Sequence, residues 1–207
     1  MTATLPKYKD EKAFVNVVRP VYALLTTEDE DSSKCTYGAV KAISPAMSIK
    51  TDPDIAEDTL YGDGSARENI MSKGKTSIEI ATNTLPLDFQ ADAFGHKYEN
   101  GVLVDKGSND VAPYMAVGFA IEKSNGKHRC YWFLKGRFEE SGVDVKQKED
   151  KVEFSTPTIK GNFLDRADGC RKVIFDEDDA NAEKTPWTSM EEFLSAVPTT
   201  ITTVKGA

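Results

Sequence analysis

Two histidines, three cysteines and a few acid-rich or glycine-rich stretches are the positions in this 207-residue sequence that could carry chemistry. Cys35, Cys130 and Cys170 are widely separated and form no C-x-x-C pair. An odd count excludes a complete disulfide framework and points to synthesis in a reducing compartment. Neither His96 nor His128 has a cysteine or second histidine at metal-ligand spacing, and neither sits in a nucleophile motif. "MSKGKTS" ends in Gly74-Lys75-Thr76, the last part of a phosphate-loop signature, but no glycine stands five residues earlier. "DPDIAED" has the alternating acids of a calcium loop without its glycine. The run Asp176–Asp179 reads as a solvated acidic loop. No catalytic residue, cofactor or metal is therefore assigned, and the expectation is a non-enzyme.

The elements that would position such residues are mostly strands. Within "APYMAVGFAIEKSNGKHRCYWFLKGRF", Asn125-Gly126 is the pair preferred by a two-residue type I′ turn, where both central residues need positive φ. Folding about that pair sets Glu122 opposite Arg129 and Ile121 opposite Cys130. Phe119 then meets Trp132, and Val117 meets Leu134. The expectation is that Val117, Phe119, Ile121, Cys130, Trp132 and Leu134 share one apolar core face. Tyr131, Trp132 and Phe133 could stack on a ligand, but core or subunit contact is the preferred reading.

Further strands are predicted in "RPVYALLTT", "CTYGAVKAIS", "AMSIKTD", "KTSIEIAT" and "KVEFSTPTIKGNF". In the last, Val152 and Phe154 alternate. Pro157 cannot donate to a ladder and should place that strand at an edge or a bulge. Two short helices follow from local signals. Pro86 and Asp88 suit a first turn, Leu87, Ala91 and Phe94 form a stripe, and Gly95 ends it. Ser189 and Glu192 make a capping box ahead of Met190, Phe193, Leu194 and Val197, and Pro198 ends that segment. No strand alternates with a long helix, so a doubly wound parallel sheet is not expected.

The net charge is −8 with a pI near 4.9, which argues against a surface that grips nucleic-acid phosphates. The N-terminal residues lack a secretory apolar segment, and no apolar run reaches membrane-spanning length. The expectation is a soluble chain made in a cytoplasm.

Several segments together resemble a known family. "VYALLTTEDED", "TLYGDGSARE", "LPLDFQADAFGHKYENGVLV", "DVAPYMAVGFAIEKSNGKHRCYWFLKGRFEE" and "VEFSTPTIKG" are similar, in this order, to the phi13-type major tail proteins of long-tailed bacteriophages. The resemblance runs from about Pro20 to Phe163 and more weakly to the helix after Trp187. Met1–Arg19 departs from it as an extra N-terminal segment, and Leu164–Pro186 is longer and more acidic than the pattern.

The resemblance implies a tail tube protein. Its fold would be mainly β (α+β): a β-sandwich or small barrel with one flanking helix, a long inter-subunit loop and a short C-terminal helix. The implied division is 1–19 as an extension, 20–198 as the tube domain and 199–207 as a flexible tail. Copies of the chain would form stacked hexameric rings around a tape-measure protein, capped by tail terminator and distal tail or baseplate proteins. DNA would cross the lumen unbound, and the chain would reside in the virion tail after assembly in the bacterial cytoplasm. "TLYGDGSARE" then reads as a strand end, a glycine-rich turn and the start of the inter-subunit loop, with Tyr61, Asp63, Arg67 and Glu68 as contact residues. The competing reading is a non-catalytic β-sandwich module for carbohydrate or host recognition, which predicts an exposed aromatic platform.

Overall fold

The computed structural model describes residues 12–63, 65–140, 142 and 156–199; at Tyr61, Gly62, Ala66 and Glu68 it describes the backbone alone. Val152, Phe154, residues 1–11 of the expected extension and residues 200–207 of the expected tail lie outside the described residues.

The fold is mainly β with two short α-helices. One antiparallel sheet holds β1 (Phe14–Thr27), β2 (Thr36–Tyr37), β3 (Lys41–Ala42), β4 (Ala46–Gly62), β5 (Ser65–Thr82), β8 (Met115–Lys123), β9 (His128–Glu139), β10 (Thr158–Phe163) and β11 (Lys172–Asp176). Its main order is β2-β1-β8-β9-β10-β5-β4, with β3 beside β1 and β11 beside β9. β6 (Lys97–Glu99) and β7 (Val102–Val104) form a separate two-stranded ribbon. β1 begins at Phe14, so residues 14–19 belong to this sheet rather than standing apart from it.

Both faces of the sheet are covered. On one face Tyr22, Ile78, Ile80, Val117, Phe119, Phe133, Phe138, Ile159 and Phe163 pack with Phe89 and Phe94 of α1 (Leu87–Phe94). Val17 on β1 and Ile49 on β4, far apart in strand order, join this same core, so the sheet curls toward a barrel. On the other face Ala116, Ala120, Cys130, Trp132, Leu134 and Phe175 pack beneath α2 (Met190–Ser195).

That two-faced burial corrects the expected hairpin register. Ile121 pairs with Arg129, Phe119 with Tyr131, Gly118 with Trp132 and Val117 with Phe133, a one-residue slip from the predicted pairs. A slip of one exchanges the faces of a strand. Val117, Phe119 and Ile121 therefore face the first core, and Cys130, Trp132 and Leu134 face the second. The cause is the turn. The Gly126 N–H donates to Lys123 O, and Lys123 donates its N–H to Lys127 O. Gly126 has φ 76°, while Asn125 is not in the left-handed region. The loop is thus three residues with a left-handed glycine, not a two-residue type I′ turn. Trp132 lies directly over Gly118, and its Nε1–H donates to Phe193 O at 3.0 Å, which ties β9 to α2.

Other expectations are also adjusted. β10 is an interior strand between β9 and β5, not an edge, because it starts at Thr158. Pro157 precedes the ladder and supplies only its carbonyl, to Thr82 N–H. In α1, Pro86 takes the N-cap position, and Leu87 points outward while Phe89 and Ala93 are buried. Gly95 ends the helix at φ 80°, donating to Ala91 O. In α2 the Ser189 hydroxyl accepts from Glu192 N–H as expected, but the Glu192 carboxylate turns back to Thr188. Asp176 is no solvated acid. It accepts from Lys123 Nζ at 2.5 Å and Arg129 Nε at 2.6 Å, and the Lys123 side chain is 3% exposed.

Candidate assembly surface

The segment around "TLYGDGSARE" is the tip of the longest hairpin, β4–β5. Gly62 pairs with Ser65 across Asp63-Gly64, and Asp63 has φ 53°. Asp-Gly is a preferred pair at such a turn, because both positions call for positive φ. The expected long loop is therefore corrected to a two-stranded arm. Near the sheet, β5 pairs with both β4 and β10. Beyond Pro53 and Thr76 the two strands pair, among the described residues, only with each other. The ladder breaks register there, with the extra residue at Gly74–Lys75 on β5. Ten residues from Asp54 to Asp63, at about 3.4 Å each, carry the tip roughly 30 Å from the sheet.

The arm is not a polar one. Ile55, Leu60, Ile70 and Met71 are each more than half exposed. Cross-strand pairing puts Ile55 and Met71 on one face and Leu60 and Ile70 on the other. An isolated two-stranded ribbon is marginal in water, and apolar side chains exposed on both its faces add nothing to its stability there. At the tip, Arg67 Nη2 lies 3.2 Å from Asp63 Oδ2, with Asp63 93% exposed. The structure thus brings Asp63 and Arg67 together. Tyr61 and Glu68 lie on the same hairpin end, where Tyr61 pairs through its backbone with Ala66 and Glu68 with Leu60.

Two ladder borders are open. The outer edge of β4 has no partner strand among the described residues. On β1, Phe14–Val18 pairs only with β8 among the described residues, and β3 and β2 take up the other side from Val21 onward. Arg19, at φ 54°, and Pro20 form the bulge that separates the two halves of β1. Where β1 and β4 approach, a cleft of about 340 Å³ lies between them, lined by Phe14, Val17, Met47, Ile49, Phe119 and Ile121. An adjoining cleft of about 500 Å³ runs from Asn16 to Val21 and reaches Ser44. The Ser44 hydroxyl is buried and has no hydrogen-bond partner among the described residues. Buried polar groups are rarely left so, and each one calls for an explanation.

Groups suited to chemistry lie elsewhere. Burial pushes the Cys130 thiol up to about 12, which suits a core residue and not a nucleophile. His128 Nδ1 is 3.1 Å from Glu177 Oε2, and that carboxylate also accepts from His128 N–H and Met190 N–H, a structural clasp between β9 and α2. His96 and two aspartates form the one group among the described residues with the spacing of metal ligands. Tyr131, Trp132 and Phe133 split between the two cores and form no exposed platform. Sequence reasoning missed the arm's strand character and its apolar faces. Asp63-Gly64 carried the signal, but Pro53 and the crowded acids of "TDPDIAEDT" hid the alternation.

Compared with models of protein families and with curated proteins, the chain matches none.

Proposed function

We propose that this protein is a self-assembling structural subunit of the tail tube type. Six copies would form a ring, and rings would stack into a hollow tube through which DNA leaves a phage particle. The support is the projecting β4–β5 arm with apolar side chains on both faces, beside two open ladder borders. Each is incomplete in one copy and is completed by another. A six-fold ring removes open edges by closure, since the border of one copy meets that of the next. Head-to-tail stacking does not close, so it produces a filament. The cleft that holds the Ser44 hydroxyl, unpartnered among the described residues, would supply a largely apolar seat beside the open border of β1, suited to strand addition.

Charge fits the same role. A chain of net charge −8 is compatible with an acidic lumen lining, past which DNA phosphates would slide without being gripped. The tape-measure, terminator and distal tail proteins are the partners such a tube requires. Sedimentation velocity tests the proposal: s-values should rise with loading from the monomer to a hexamer and its multiples. A single monomeric boundary at every concentration would reject it.

A further inference from the structure

We propose that His96, Asp105 and Asp110 form a binding site for a divalent cation of the zinc class at the base of the β6–β7 ribbon.

The fold converges these residues from two sides. His96 follows the left-handed Gly95 that ends α1 and immediately precedes β6. Asp105 follows β7, and Asp110 closes the short 3-10 turn after it, where Gly107 has φ 62°. The ribbon thus leaves and returns through the same few ångströms. His96 Nδ1 lies 2.9 Å from Asp110 Oδ2 and 3.9 Å from Asp105 Oδ1. One ligand atom from each of the three falls within 4.8 Å of the others. Ligand atoms about 2.1 Å from a tetrahedral metal stand roughly 3.4 Å apart, so the two histidine distances straddle the required spacing.

The surroundings suit a metal as well. The His96 and Asp110 side chains are 5% and 10% exposed, so they are held in place rather than sampling solvent. Each carboxylate is oriented by a backbone donor: Lys106 N–H to Asp110 Oδ2 at 2.8 Å, and Gly107 N–H to Asp105 Oδ1 at 2.6 Å. On the far side of the imidazole, Glu140 Oε1 lies 3.8 Å from Nε2. A carboxylate only accepts, so the 2.9 Å contact of His96 is an Nδ1–H donated to Asp110 Oδ2, and a bound cation would take the place of that proton between the histidine and the two aspartates. Metal-bound histidines commonly carry an acceptor on the uncoordinated ring nitrogen, and Glu140 is the carboxylate on that side, here beyond hydrogen-bond distance. Phe94, Phe138 and Glu140 share with the three ligands a cavity of about 240 Å³, which leaves room for a water or a further ligand at the fourth position. One imidazole with two carboxylates suits zinc better than magnesium, which favours oxygen ligands and retains its waters.

A bound cation would clip the ribbon's two ends to the end of α1. Binding to the folded state alone must raise the melting temperature. The test is calorimetric titration of Zn2+ into the full-length protein, paired with melting curves. Asp105→Asn is the informative variant, because Asp105 is half exposed and asparagine keeps the acceptor for Gly107 N–H. We expect one Zn2+ per chain and a higher melting temperature in its presence. Asp105→Asn and His96→Gln should weaken binding at least about tenfold, the scale on which even outer partners of metal ligands act. Asp105→Asn without metal should melt like the parent. No saturable binding, or equal affinity in Asp105→Asn, overturns the site and leaves His96 and Asp110 as a simple hydrogen-bonded pair. These readouts do not depend on whether the chain assembles.

Discussion

Gly136 is occupied by the absence of its side chain. A Cβ there would stand 2.3 Å from Phe163 Cδ1, inside the contact that brings β9 and β10 together. Gly136→Ala should therefore cost about 1–3 kcal/mol by overpacking, read as a lower denaturant midpoint with an unchanged slope. Asp176 acts through charge. Burial pushes its carboxyl up, but hydrogen bonds from Lys123 and Arg129 outweigh that and hold it below the usual carboxylate range. Asp168 is held low in the same direction, chiefly by the Arg166 guanidinium. A group depressed in the folded state contributes stability above its unfolded pKa, and this is lost as pH falls through the folded value. Unfolding free energy should thus be level near neutrality and fall below about pH 4. Asp176→Asn should lose about 3 kcal/mol at pH 7, since among the described residues it leaves the buried Lys123 with Asp178 as its remaining carboxylate, 3.8 Å away. The same variant should show a shallower acid limb; an equally steep one would remove Asp176 from the account.

At the scale of elements, the two hairpins show how much of the fold was legible. Strand-rich character, both helices and the capping of α2 by Ser189 follow from spacing and cap chemistry, because those signals are local. The β8–β9 register does not. Asn125-Gly126 marks a turn, but whether Ser124 joins the loop depends on packing Trp132 against Gly118 and beneath α2, which is a long-range matter. Because β8 and β9 are apolar on both faces, alternation could not reveal the one-residue slip. In the β4–β5 hairpin the same kind of pair, Asp63-Gly64, is present, yet the strands around it are exposed and carry no buried face to signal their period. Their apolar residues are legible only once pairing is known. The arm's role is testable directly. Ile70→Lys with Met71→Lys should leave the monomer's stability within about 0.5 kcal/mol, since both side chains are exposed. If the arm docks on another copy, the same pair should abolish assembly beyond the monomer. Assembly at the parent's concentration would show that the arm carries no subunit contact.

For the whole molecule, the proposed assembly rests on a curled sheet open between β1 and β4 among the described residues, an arm of roughly 30 Å with apolar side chains exposed on both faces, and a buried hydroxyl without a partner among the described residues. Both sheet faces are covered from within the chain, by α1 on one side and α2 on the other, so in the proposed assembly the monomer would fold first. In the proposed assembly only the borders and the arm would meet a neighbour, so folding and assembly would be separable steps. The most direct test of this is electron microscopy of the purified protein at concentrations that span the onset of association. The account predicts rings with six-fold symmetry that stack into tubes, with the β4–β5 arm crossing from one copy to the next. Isolated single particles at the highest concentration, or an ordered assembly in which the arm projects into solvent, would contradict it.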